Sequence, residues 1–67
     1  MKNCAVSLKQ LLEMYDDWNG VTRINNDELN TIIEEKTYKI YHVRKDLLDK
    51  EVVAFGFYDG VMTVRVK

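Results

Sequence analysis

Few side chains in this chain are able to do covalent chemistry, and they do not fall into a reactive set. There is one histidine, His42, and one cysteine, Cys4. As base and nucleophile they would have to meet, and nothing in their spacing brings them together. Nor can two such residues close a structural zinc site by themselves. The acidic pairs Asp16-Asp17 and Glu34-Glu35 are sequence neighbours. Neighbours on a strand point to opposite faces, and on a helix they stand about 100° apart, so neither pair makes an acid/base couple. No glycine-rich phosphate loop, metal-ligand spacing or nucleophile elbow is present. The expectation is a protein that is not an enzyme and uses no metal or cofactor.

Recognition chemistry is better represented. Residues 36–45 contain no acid and hold Lys36, Tyr38, Lys39, Tyr41, His42, Arg44 and Lys45. A tyrosine beside a cation can stack on a base while the cation meets a phosphate. On that chemistry Lys36, Tyr38, Lys39, Tyr41, His42 and Arg44 form a candidate site for a small anionic nucleotide or an acidic protein surface. The plainer alternative is a strand with one face in the core and cations at its rim, where lysines also discourage stray strand pairing. A second candidate surface, for self-association, comprises Trp18, Gly56, Tyr58, Val61 and Thr63. Tryptophan is enriched at interfaces, and a glycine inside a strand marks a bulge or a close backbone approach.

The elements that must position these residues are legible to different degrees. Ser7 has the character of an N-cap, and Leu8, Leu11, Leu12 and Tyr15 then follow at i, i+3, i+4 and i+7, which predicts a helix over 7–17. Asn19-Gly20 is its stop signal. Residues 1–6 either fray or add an edge strand through Ala5 and Val6. Val21 to Asn25 reads as a strand and Asn25-Asn26-Asp27 as a turn. Residues 28–36 fit a capped second helix, with Asn25 and Glu28 as capping box, or a strand returning along 21–25; the strand is favoured, with Glu34-Glu35-Lys36 as a further turn or kink. Thr37 to Val43, rich in aromatic and β-branched residues, reads as a strand. Residues 44–50 read as one helical turn anchored by Leu47 and Leu48.

The C-terminal stretch is the clearest. Glu51–Tyr58 and Val61–Lys67 flank Asp59-Gly60, the strongest short-range hairpin signal, because both turn residues must take positive φ. Counting outward pairs Tyr58 with Val61, Phe57 with Met62, Phe55 with Val64 and Val53 with Val66. Val53, Phe55, Phe57, Met62, Val64 and Val66 then share one apolar face, which the helix should cover. Val52, Ala54, Gly56, Tyr58, Val61, Thr63, Arg65 and Lys67 share the other.

Composition sets the limits. Sixty-seven residues make one small domain, spanning 1–67. A core of this size contributes only about 3–5 kcal/mol net, and small folds commonly need a staple. A lone cysteine forms no internal disulfide, so oligomerisation is the expected route. The net charge of −1 argues against a general nucleic-acid binder. Its distribution is uneven: residues 1–35 hold three basic and seven acidic side chains, and 36–67 hold seven basic and four acidic. No apolar run approaches the roughly 20 residues of a membrane span, and no signal-peptide pattern opens the chain, so a cytoplasmic setting is expected.

Two stretches carry a resemblance: Leu8-Lys-Gln-Leu-Leu-Glu-Met-Tyr-Asp-Asp-Trp18 and Asp46-Leu-Leu-Asp-Lys-Glu-Val-Val-Ala-Phe-Gly-Phe-Tyr-Asp-Gly60. With these, the chain resembles short accessory proteins encoded by phages and prophages of Gram-positive bacteria, over about two-thirds of its length by eye. The central stretch 28–43 departs most from that pattern. These motifs specify a turn and a core rather than a chemistry. What the resemblance implies is a setting in an infected or lysogenic host, where such proteins inhibit or sequester host factors, including components of antiviral defence. The expectation is an α+β domain: one N-terminal helix on an antiparallel sheet of about four strands, ending in the Asp-Gly hairpin. Its expected role is a homo-oligomeric, anti-defence binding module for a host protein or an anionic nucleotide. A nucleic-acid-binding regulator and a structural phage component are the alternatives.

Overall fold

The computed structural model describes residues 6–67. The expectation for Ala5 therefore lies outside the described residues. The first element is helix α1, Leu8–Met14, whose start is fixed by a capping box. Gln10 N–H donates to Ser7 Oγ at 3.1 Å, and Ser7 N–H donates to Gln10 Oε1 at 2.9 Å. Two further first-turn donors are used across the fold, Leu8 N–H to Lys50 O at 2.9 Å and Lys9 N–H to Leu48 O at 3.0 Å. The helix stops earlier than the apolar spacing predicts. Tyr15 is already extended, and Asp16 and Asp17 would have placed negative charge at the negative end of the helix dipole.

Four strands follow: β1 (Val21–Asn25), β2 (Thr31–Lys36), β3 (Val52–Tyr58) and β4 (Val61–Val66). Helix α2 (Thr37–Val43) and a 3-10 turn (Lys45–Leu47) lie between β2 and β3. The sheet order is β2-β1-β4-β3. The fold is α+β and ends in a hairpin, as expected, but the sheet is mixed rather than antiparallel. β1 pairs antiparallel with β2 and parallel with β4. Two local hairpins thus lie side by side, joined along their inner strands.

Residues 37–43 correct the strand expectation. Thr37 and Ile40 are fully buried and Tyr41 is partly buried. That i, i+3, i+4 set seats a helix, and burial outweighs the β-propensity of threonine, tyrosine and valine. The helix begins at a buried polar contact. Thr37 donates through N–H and Oγ1 to Gly20 O, at 2.9 and 3.0 Å, and its Oγ1 lies 2.6 Å from that of Thr22. Thr37 has one hydroxyl proton, and Gly20 takes it; Thr22 is therefore the donor to Thr37.

The core lies between the helices and the two inner strands. Leu8, Leu11 and Leu12 of α1, Ile40 of α2, Leu47 and Leu48 of the turn, Ile24 of β1, and Met62, Val64 and Val66 of β4 form it. No residue of β2 or β3 is among them. The C-terminal hairpin is therefore core on one strand only. Val53, Phe55 and Phe57 remain 43%, 57% and 58% exposed. The cause is coverage: α1 and α2 have seven residues each, about 10 Å of helix apiece, and their apolar faces meet the inner strands. A bulge also shifts the register, so Val52, not Val53, opposes Val66 and packs on the core. Residues 59 and 60 join the strands with φ of 55° and 78°.

The threonine contact yields a testable asymmetry. Thr37→Val strands the buried Thr22 hydroxyl and is expected to cost about 1–3 kcal/mol, whereas the double variant Thr22→Val/Thr37→Val is expected to recover part of that loss. Urea denaturation of the two variants checks this; equal midpoints would refute the coupling of the two hydroxyls.

Candidate functional site

The basic-aromatic stretch 36–45 becomes the end of β2 and the whole of α2, which divides its residues. Lys36 sits at the junction, exposed, and Tyr38 and Lys39 are exposed on the helix. His42 follows Tyr38 by one turn, its Nδ1 3.1 Å from Tyr38 O. Tyr41 is half-buried and reaches α1: its hydroxyl donates to Glu13 Oε2 at 2.6 Å, and its ring lies 4.9 Å from that of Trp18. His42 completes this cluster, 5.5 Å from Tyr41 and 6.3 Å from Trp18 between ring centroids. Arg44 is held in a fork by Asp46, with both N–H···O contacts at 3.0 Å. The pairing keeps the Asp46 carboxyl below its ordinary value and the guanidinium above its own. Among the six candidate ligand residues, Tyr41 and Arg44 are thus engaged within the fold.

Trp18 likewise parts from the other self-association candidates. It packs on α2, where its carbonyl accepts from Tyr38 N–H at 3.1 Å, while Gly56, Tyr58, Val61 and Thr63 lie together on the opposite side of the sheet. The register places them on one face: Gly56 opposes Thr63, and Tyr58 opposes Val61.

That face carries no helix among the described residues, and it is concave. A groove of about 410 Å³ runs across it, bounded by Arg23 and Asn25 of β1, Thr63 and Arg65 of β4, and Gly56 and Tyr58 of β3. Pairing explains the convergence: Arg23 is level with Thr63, and Asn25 with Arg65, in the parallel β1–β4 ladder. Arg23 donates from Nε to Glu34 Oε1 at 3.1 Å, across the β1–β2 ladder. Arg65 forms no ion pair among the described residues, and its Nε is buried without a hydrogen-bond partner. The Tyr58 side chain folds over Gly56, where an added Cβ would stand 3.2 Å from the phenol oxygen. Glycine here makes room for an aromatic ring lying along the groove.

The rim adds a strained residue. Leu29 has φ of 69° and is 64% exposed. Its turn is held by Asn26, whose Oδ1 accepts from Glu28 and Asn30 N–H, each at 2.9 Å. A leucine in the left-handed region is unfavourable by roughly 1–2 kcal/mol, yet its side chain borders the groove.

Chemically the groove offers one partly neutralised guanidinium, one unpaired guanidinium, an amide, a hydroxyl and an aromatic face. Planar guanidinium groups suit bidentate contact with phosphate or carboxylate, and an exposed phenol ring suits stacking. Among the described residues no group of three His, Cys, Asp or Glu side chains could hold a metal ion. No helix among them is long and apolar enough to cross a membrane. Arg23, Asn25 and Leu29 were not legible as site residues. The alternation in Thr22-Arg23-Ile24 and Val64-Arg65-Val66 sets both arginines opposite the core, but only the β1–β4 pairing makes them neighbours.

Comparison with protein-family models, with curated proteins and with solved structures returned no match.

Two outcomes are expected from these contacts. Leu29→Asn, which tolerates positive φ, should raise the unfolding free energy by about 1 kcal/mol; a lower urea midpoint would mean that the leucine contacts outweigh the strain. The hydrogen bond to Glu13, followed by burial and the carboxylate charge, holds the Tyr41 phenol above its ordinary value. The folded state therefore keeps this proton longer than the unfolded one. The stabilisation is complete below the unfolded value of about 10 and is lost as pH rises through the folded value. In Glu13→Gln the Tyr41 ionisation, followed by tyrosinate absorbance, should move down.

Proposed function

We propose that the chain is a non-enzymatic binding module that holds a small anionic nucleotide in the open-face groove and works as a homo-oligomer. The observation that carries the ligand reading is Arg65, a guanidinium in a concave site whose buried Nε has no hydrogen-bond partner among the described residues. An unsatisfied charged donor in such a place gains most from an anion that reaches it. Arg23 gives a second cation on the neighbouring strand, and Tyr58 an aromatic surface for a base. The groove volume falls within the range of about 300–1,000 Å³ common for small-molecule sites.

Self-association is supported by size and by exposed surface. Among the described residues ten side chains make up the buried hydrophobic core, and Val53, Phe55 and Phe57 stand out of it on one strand. The phage setting implied by the resemblance fits sequestration. A small protein can neutralise a host signal by holding it, with no turnover, and that reading keeps the anti-defence role within what a groove alone can do.

Differential scanning fluorimetry with a panel of cyclic and linear mononucleotides tests the ligand reading. A binder present at about 100 times its Kd stabilises by about 2.7 kcal/mol, and the transition should move up accordingly. Arg65→Gln should weaken binding by about ten- to a hundredfold, the loss of a charged hydrogen bond, while Lys39→Gln on α2 should leave it unchanged. No shift with any nucleotide, or a shift that follows Lys39 instead of Arg65, would overturn the assignment.

A further inference from the structure

The two edges of the sheet are built differently. β2 carries Glu34, Glu35 and Lys36, and charge on an edge strand is a standard guard against pairing with another chain. β3 reads Val-Val-Ala-Phe-Gly-Phe-Tyr and carries no charge. It is an outer strand, bonded to β4 on one side. Among the described residues its other side is engaged only at the start, where Val52 N–H donates to Val6 O at 2.7 Å and Ser7 bridges Glu51. From Val53 to Tyr58 the edge is free among those residues.

The backbone there has a defined direction. Residues 59 and 60 form a two-residue connection, so Tyr58 and Val61, which flank it, are the hydrogen-bonded pair. Alternation along an antiparallel ladder then aims the N–H and C=O groups of Phe57 and Phe55 away from β4. Their side chains share the face of Met62 and Val64 and are more than half exposed. Phe57 has one aromatic neighbour, Tyr15, at 6.0 Å.

We infer that β3 pairs antiparallel with β3 of a second copy of this chain, with Gly56 on the two-fold axis, and that the dimer carries one continuous eight-stranded sheet. The occupant follows from self-complementarity. Centring on Phe55 would oppose Val52 to Tyr58, and Val52 is already bonded to Val6; it would also set Glu51 against Asp59. Centring on Gly56 uses only the free segment. It opposes Phe55 to Phe57 of the partner subunit, twice, through outward-facing backbone groups. Aromatic cross-strand pairs are among the more stabilising in a sheet. On the open face, Gly56 meets its own copy at a non-hydrogen-bonded position, where the strands' Cα atoms approach most closely. The missing side chain leaves room for the two tyrosine rings that lean there. Ala54, at the groove margin, then faces Tyr58 of the partner subunit, so each groove gains a wall from the second copy.

This mode rests on the self-association reading above, and the experiment separates the two. Light scattering on the full chain at high micromolar concentration should give twice 7.9 kDa. Phe57→Lys, a charge on an already exposed position, should restore the single-chain mass with an unchanged far-ultraviolet spectrum. In a Cys4→Ser background, Gly56→Cys should form a disulfide-linked dimer under mild oxidation, while Glu34→Cys on the guarded edge should not. Should Gly56→Cys not fold, Ala54→Cys and Tyr58→Cys replace it: they should cross-link with each other when mixed and not with themselves. A single-chain mass for the unaltered protein overturns both readings. A dimer that persists in Phe57→Lys and fails to cross-link through position 56 overturns the β3 mode and leaves self-association standing.

Discussion

The parallel pairing of β1 with β4 is the contact on which the rest of this fold depends. Each hairpin is local, built from strands that a short connection holds together. Nothing in either hairpin requires the other. The pairing brings Ile24 level with Val64, both wholly removed from water, and makes one apolar floor from two separate pieces. Helix α1 and the Leu47-Leu48 turn then have a surface to cover. The long crossover that parallel strands require is the segment holding α2. That explains why a stretch with strand-like composition is helical: it has to return across the sheet with Ile40 pointing into the core. The threonine contact between β1 and α2 fastens the crossover at its origin.

The same arrangement decides what is left over. Two helices of seven residues cover the inner strands and little more, so one face of the sheet and one edge remain without a second layer among the described residues. The open face collects the polar halves of β1 and β4, and there the arginines converge. The free edge collects the apolar residues that the register turns toward the helices but the helices do not reach. Groove and edge are two consequences of one shortage, two seven-residue helices against a four-stranded sheet.

Much of the local structure could be read from residue order. The helix start at Ser7, the strand at Val21–Asn25, a returning strand within 28–36, the turn at Leu47 and the terminal strands all follow from capping, alternation and turn chemistry, which act over a few residues; Glu34-Glu35-Lys36, expected as a turn, instead continues the strand opposite Val21–Arg23. The candidate site was legible only in fragments. Gly56, Tyr58 and Thr63 were marked as one surface because hairpin register is a local property. Their partners Arg23 and Asn25 come from a strand more than thirty residues away, and no local pattern specifies that neighbour. Conversely, Lys39, Tyr41 and Arg44 are close in sequence, and the helix sends them in different directions.

The hairpin shows where the division falls. By itself the sequence determined that Phe55, Phe57, Met62 and Val64 share a face, since side-chain alternation is fixed by the pleat. It could not determine which of them would be buried. Burial depends on strand order, and strand order is a property of the whole sheet: β4 lies inside, so Met62 and Val64 are core, and β3 lies outside, so Phe55 and Phe57 meet solvent. Tertiary structure alone decided that, by placing β1 against β4 and leaving β3 as the outer strand of the sheet.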